Sequence, residues 1–160
     1  MQALRDLYQA HIERFAQFVN SFPNEHFNGP LLMEPSAYYQ QPRKLLIVGQ
    51  QTYGGPCEYG NIDAQLEWYR KFNMGWQEGK RDYPSPFWNV TRKVEFVLGI
   101  ERYSCAWSNL NRFDHNGGPP KGEKILEEVA KLDFLVREEI QILNPDTLRL
   151  PGGSGAGLEE

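Results

Sequence analysis

Over the first twenty positions Leu4, Leu7, Tyr8, Ile12, Phe15, Phe18 and Val19, with His11 among them, recur at helical spacing and leave a polar remainder. That stripe predicts an amphipathic helix ending before Pro23. Residues 22 to 43 carry Pro, Asn, Gly, Ser and Gln without a steady period and read as a long irregular connection. The run Leu45-Leu46-Ile47-Val48 breaks the pattern. It is short, continuously apolar, entered from Arg43-Lys44 and stopped by Gly49, the signature of a parallel strand buried on both faces.

Beyond it, Ile62, Leu66, Trp68, Tyr69 and Phe72 fit a helix capped by Asn61. Gly75 to Pro86 reads as loop. Phe87-Trp88-Asn89-Val90 with Val94, Val97 and Leu98 fits a second helix begun near Pro86, a residue tolerated in a first turn. Tyr103 to Leu110 is a strand candidate with polar Asn109 at its carboxyl end, and Asp114 to Lys121 is a Gly/Pro-rich loop. Glu123 to Leu143 has helical period, Asn144-Pro145-Asp146 breaks it, and Thr147-Leu148-Arg149-Leu150 begins a third strand. Helix, strand, helix, helix, strand, helix, strand predicts an α/β fold: a three-layer sandwich whose small parallel sheet, three to four strands, is flanked by helices. Residues 1 to 150 are read as one domain, and 151 to 160, rich in Gly, as a flexible tail or cloning remnant.

Composition narrows the class. With 160 residues, 40% of them hydrophobic, there is enough apolar surface for one core. No run of about 18 apolar residues occurs and the amino terminus lacks the signal-peptide succession, so a cytoplasmic protein with no membrane partner is expected. Cys57 and Cys105 are too few for a disulfide scaffold and have no close Cys or His partner at zinc-ligand spacing; reduced thiols and no metal are expected. A formal charge of −4 argues against a protein that coats nucleic acid. Local contact remains open through the basic pairs Arg43-Lys44, Arg70-Lys71, Lys80-Arg81 and Arg92-Lys93, each of which also reads as ordinary solvated charge.

In open α/β sheets ligands sit beyond the carboxyl ends of the strands, which directs attention to the loops after Val48 and Leu110. The first offers Gln50, Gln51, Thr52 and Tyr53 between glycines; the second follows Ser108 and Asn109 with Asn111, Arg112, Asp114 and His115. Amide side chains present paired donors and acceptors, suited to the edge of a nucleobase. On residues alone, Asn109 also reads as a turn residue bonding exposed backbone, and Asp114-His115-Asn116-Gly117-Gly118 as a turn. Trp68, Trp76, Trp88 and Trp107 read as core or rim aromatics, His11 as a core or boundary histidine, and His26 has no discernible partner.

Lys44-Leu45-Leu46-Ile47-Val48-Gly49-Gln50-Gln51-Thr52-Tyr53-Gly54 resembles the first motif of the uracil-DNA glycosylase superfamily, a strand followed by Gly-Gln-Asp-Pro-Tyr-His. Pro84-Ser85-Pro86-Phe87-Trp88-Asn89-Val90 resembles the segment that starts the next helix, Trp107-Ser108-Asn109 the strand end carrying the base-reading Asn, and Asn144-Pro145-Asp146 the turn before the third strand. The correspondence spans about residues 40 to 150 in order. It implies a DNA partner, no cofactor, and base flipping followed by hydrolysis of the N-glycosidic bond in base-excision repair. Under it Gln50 supplies backbone contacts to the base, Tyr53 walls the pocket, Asn109 reads the base and acts in catalysis, and Phe87 stacks on its face. Asp114 and His115 are possible auxiliary groups.

Two departures bear on activity. Gln51 stands where the family commonly has a water-orienting Asp, and an amide cannot accept that proton or stabilise a cationic sugar. The family's final strand and its His-Pro-Ser loop are not found in the sequence. Weak or absent hydrolysis is the expectation, and the alternative is a non-catalytic module that binds a nucleobase, nucleotide or protein. Use of Gly49 to Gly55 as a phosphate loop is a weaker option, because the Gly-Lys-Ser/Thr ending is missing.

Overall fold

The protein is described by a computed structural model covering residues 1–73 and 85–150. The fold is α/β. Strands β2 (Leu45–Gly49), β3 (Ala106–Asn109) and β5 (Thr147–Arg149) form a parallel sheet in the order β3-β2-β5. Its register sets Gly49 beside Asn109 and Ile47 beside Trp107 on one flank and Arg149 on the other.

All five residues of β2 are buried, and their alternation feeds two cores. Leu46 and Val48 join Tyr8, Phe15, Leu66, Trp107 and Leu135 on one face, while Leu45 and Ile47 pack with Ile100, Cys105 and partly buried Val94 and Leu98 on the other. Each apolar side chain so buried contributes about 1.5–3 kcal/mol. Burial on both sides is the reason this run carries no polar alternation, and it makes the predicted layered arrangement.

Two of the expected helices prove divided. The amino-terminal stripe is carried by α1 (Gln2–Ala10) and α2 (Ile12–Asn20), separated at His11, whose φ of −119° and ψ of 10° leave the helical region. His11 packs edge-on against Phe134 with ring centroids 4.8 Å apart. The carboxyl-terminal segment likewise breaks at 131–133 into α5 (Glu123–Ala130) and α6 (Phe134–Leu143). Helix α3 (Ile62–Asn73) begins as expected, with Asn61 Oδ1 accepting from Ala64 N at 3.1 Å. Helix α4 (Pro86–Leu98) starts at Ser85, whose hydroxyl accepts from Trp88 N at 3.2 Å, and ends on Gly99 in the left-handed region.

The irregular connection and the Gly/Pro-rich loop contain an element with no periodic signal: β1 (Phe27–Asn28) pairs antiparallel with β4 (Asp114–His115). The Asn144-Pro145-Asp146 break sets the sheet's register. Asn144 closes α6 in the left-handed region, and Asp146 accepts Lys44 N at 2.8 Å, tying the start of β5 to β2. No disulfide links Cys57 and Cys105. No helix among the described residues is long and apolar enough to cross a membrane. The loop expected over Gly75 to Pro86, together with Trp76, Lys80-Arg81 and the 151–160 tail, falls mostly or wholly outside the described residues.

Candidate functional site

The three parallel strands end on one side of the sheet, and there a cavity of about 610 Å³ opens. Its floor is the end of β2 and the loop Gln50 to Gly55. One wall is the start of α4, from Ser85 to Trp88 with Thr91; Arg149 and Leu150 close the β5 side. Gln50, Gln51, Tyr53, Phe87 and Asn109, all named from the sequence, converge on it. Trp68, Thr91 and Arg149 were not anticipated as lining; only their places on the helices and strand that flank the loop could have indicated them.

The closest approach in the cavity involves Gly49. A Cβ there would lie 2.5 Å from the Asn109 carboxamide and 3.3 Å from the Phe87 ring. Glycine is required because two other side chains occupy the space its own would fill. Behind this point the aromatic wall is continuous. Phe87 meets Trp88 at right angles with centroids 4.9 Å apart, and Trp88 meets Trp107 at 5.2 Å and 80°. Tyr69 stacks on Trp107 at 5.0 Å, and its hydroxyl donates to Trp107 O at 3.2 Å and accepts from Trp107 N at 3.0 Å. The phenol thereby satisfies both backbone groups of Trp107 on the flank of β3 away from β2.

Asn109 is buried at 3% exposure. One orientation of its carboxamide satisfies both ends: Nδ2 donates to Ser108 O at 3.0 Å, and Oδ1 accepts from Thr52 N at 3.1 Å. The side chain therefore holds the β2 loop against the end of β3. Backbone bonds continue the same zipper, with Leu110 N donating to Gly49 O at 3.0 Å and Asn111 N to Gln50 O at 2.8 Å. Gln51 differs in having an unspent group, since its Oε1 is buried and has no hydrogen-bond partner. Tyr53 borders the cavity but is 77% exposed, so its ring stands at the rim and much of it faces solvent.

Asp114 and His115 do not line the cavity. Asp114, fully buried, accepts four hydrogen bonds: Asn28 Nδ2 at 2.8 Å and Gly117 N at 2.9 Å on Oδ1, Thr52 Oγ1 at 3.0 Å and Gly54 N at 2.7 Å on Oδ2. His115 pairs with Glu25 at 2.7 Å and stacks on Phe27. No carboxylate or imidazole is found among the described residues that line the cavity, and Arg149 is their one cation. No group of three or more His, Cys, Asp or Glu able to hold a metal ion occurs among the described residues.

Beside Asn109, Ser108 joins a buried network not expected from the sequence. Arg112 and Glu139, both without solvent exposure, form a two-pronged ion pair. Tyr8 Oη donates to Glu139 at 2.7 Å, Ser108 Oγ donates to it at 2.9 Å, and Arg112 also donates to Leu31 O at 3.0 Å. Burial, reinforced by the Glu139 charge, pushes the Tyr8 phenol well above its ordinary range. A glutamate at the apolar phase of α6, beside Leu135, Val136 and Leu143, was the available signal, because a buried carboxylate requires partners. Two of the basic pairs have carboxylate partners: Arg70 with Glu34 and Lys71 with Glu67 in one, and Arg92, between the Trp88 and Tyr103 rings, with Glu95 in the other.

Comparison of the chain with protein-family models, curated proteins and solved structures finds no match.

Proposed function

We propose that the cavity receives a nucleobase turned out of DNA, and that the protein acts on or recognises that base in the manner of the uracil-DNA glycosylases. The observation that carries this reading is that the cavity is lined both by the Phe87 ring and by the Gln51 carboxamide, whose buried Oε1 has no hydrogen-bond partner. A planar heterocycle needs an aromatic face to stack on and an amide free to match its polar edge. The volume lies within the ~300–1,000 Å³ of small-molecule sites. The Gly-Gln-Gln-Thr-Tyr loop and the Trp-Ser-Asn strand end, which carry the resemblance, are adjacent strand ends joined through Thr52 and Asn109.

A second reading, binding without hydrolysis, is favoured by one observation. The described lining offers neither carboxylate nor imidazole, and Asp114 already accepts four hydrogen bonds away from the cavity. Hydrolysis at a useful rate calls for a group to orient water and meet developing positive charge on the sugar.

One experiment separates the two. The protein is incubated with single- and double-stranded oligonucleotides bearing one deoxyuridine, and alkali-labile sites and binding by fluorescence anisotropy are both measured. Alkali-labile sites support the glycosylase; uracil-dependent binding without them supports the binding module. Neither binding nor cleavage, for uracil or other altered bases, sinks the nucleobase reading.

A further inference from the structure

Tyr53 occupies the tip of the turn between Thr52 and Gly54, exposed at the rim of the cavity. An aromatic ring on a surface loop is ordinarily free to move with the loop. Here both neighbours are tied down. Thr52 donates its backbone N–H to Asn109 and its hydroxyl to Asp114, and Gly54, at a φ of 85°, donates its N–H to Asp114 at 2.7 Å. Two of these three bonds end on one buried carboxylate oxygen, which as an ionised acceptor makes them stronger than neutral bonds. The other oxygen is fixed by Asn28 of β1 and by the backbone N–H of Gly117, just past β4. Asp114 thus connects the two-stranded ribbon to the single turn that carries Tyr53, while lying outside the cavity itself.

We propose that Asp114 is a positioning residue for Tyr53, and that the exposed Tyr53 ring is a stacking surface for a base at the mouth of the cavity. Fixing the turn beforehand removes the entropy that a mobile loop would lose on binding. The inference rests on the nucleobase reading for the identity of what stacks, and on hydrogen bonds alone for the role of Asp114.

Binding of a fluorescein-labelled single-stranded oligonucleotide containing deoxyuridine tests both parts. Tyr53→Ala is expected to weaken binding by about tenfold, within the range for loss of one stacked base. Asp114→Ala should produce a similar loss, and the combined variant should bind no more weakly than Tyr53→Ala alone, because Asp114 acts through the ring. Additive losses, or unchanged affinity in Asp114→Ala, overturn the proposal. Should Asp114→Ala fail to fold, Asp114→Asn replaces it. Its amide nitrogen meets a backbone N–H whichever way it turns, that of Gly117 or that of Gly54. Adding Asn28→Asp gives that nitrogen an acceptor and returns an oxygen to the turn, so the paired variant is expected to regain most of the affinity; no recovery counts against the assignment.

Amide hydrogen exchange at Gly54 provides a readout that needs no ligand. Exchange should be faster in Asp114→Asn and slow again in the Asn28→Asp/Asp114→Asn pair; equal rates in all three overturn the positioning role. If the unaltered protein binds no oligonucleotide, the nucleobase reading and the stacking role of Tyr53 both fall, and exchange at Gly54 still decides the role of Asp114.

Discussion

Gly49 faces Asn109 across the parallel register of β2 and β3, and a single added carbon on Gly49 would stand 2.5 Å from the Asn109 carboxamide. Both are buried, and the Phe87 ring lies 3.3 Å from the same point, so the new methyl presses on a carboxamide and a ring at once. Gly49→Ala is expected to cost about 1–3 kcal/mol, the usual penalty for overpacking. Differential scanning calorimetry should show the midpoint falling by several degrees, and an unchanged midpoint would mean that the Asn109 amide can be displaced cheaply.

The Glu139 network makes a contrasting prediction. Removing one partner of a buried ion pair leaves an uncompensated charge and costs about 3–5 kcal/mol, whereas replacing both by apolar residues of similar size is far milder. Glu139→Ala would strand Arg112 and withdraw the acceptor from Tyr8 and Ser108. In urea denaturation its midpoint should fall much further than that of Arg112→Met combined with Glu139→Leu. Equal losses would show that the network is replaced by water on mutation.

How much of this was legible in the sequence depended on how local each signal was. Leu45 to Val48 announced a central strand because burial on both faces leaves four apolar residues in a row. Pro86 announced the start of α4 because a first-turn proline is read from a single residue. The break at His11 was hidden, since the apolar stripe continues in phase through it. The β1–β4 ribbon, two residues on each strand, is too short to show a period. At the cavity, Gln50, Gln51, Tyr53 and Asn109 were indicated by their place at strand ends and Phe87 by the family resemblance, but the bonds they make were not. Whether Asn109 is committed to Thr52 and Ser108, and whether Asp114 faces the cavity or the turn, depends on donors from distant parts of the chain.

The buried phenols set an alkaline limit on stability. Tyr8 and Tyr69 are both fully buried, and desolvation holds their ionisation well above the ordinary value of 10.0. A raised folded-state pKa means that the unfolded chain releases protons first as pH climbs. Their contribution is therefore complete below about pH 10 and is lost progressively above it. Phenolate absorbance during a pH titration should show Tyr8 and Tyr69, and with them Tyr38, which is as closed to solvent and raised by the same burial, ionising only together with unfolding. Their ionisation in the folded protein, before the loss of helical circular dichroism, would contradict the burial.

Asn109 offers the sharpest test of what the cavity amides do. If its carboxamide were held open for a ligand, replacing it would change binding and leave stability alone. Here Nδ2 is spent on Ser108 O and Oδ1 on Thr52 N, and the site is closed to solvent. Asn109→Ala removes the acceptor of Thr52 N, while Ser108 O keeps Gly49 N from the ladder, so about 1–3 kcal/mol is expected for the one stranded group. Asn109→Asp is expected to be at least as severe, because a carboxylate keeps the Thr52 bond but sets an oxygen against Ser108 O. Both variants should melt lower than the parent without any ligand present, and hydrogen exchange at Thr52 should accelerate in Asn109→Ala but less in Asn109→Asp. Unaltered melting, with loss of oligonucleotide binding alone, would return Asn109 to the role of a free base-reading amide and leave the β2 loop held mainly by Asp114.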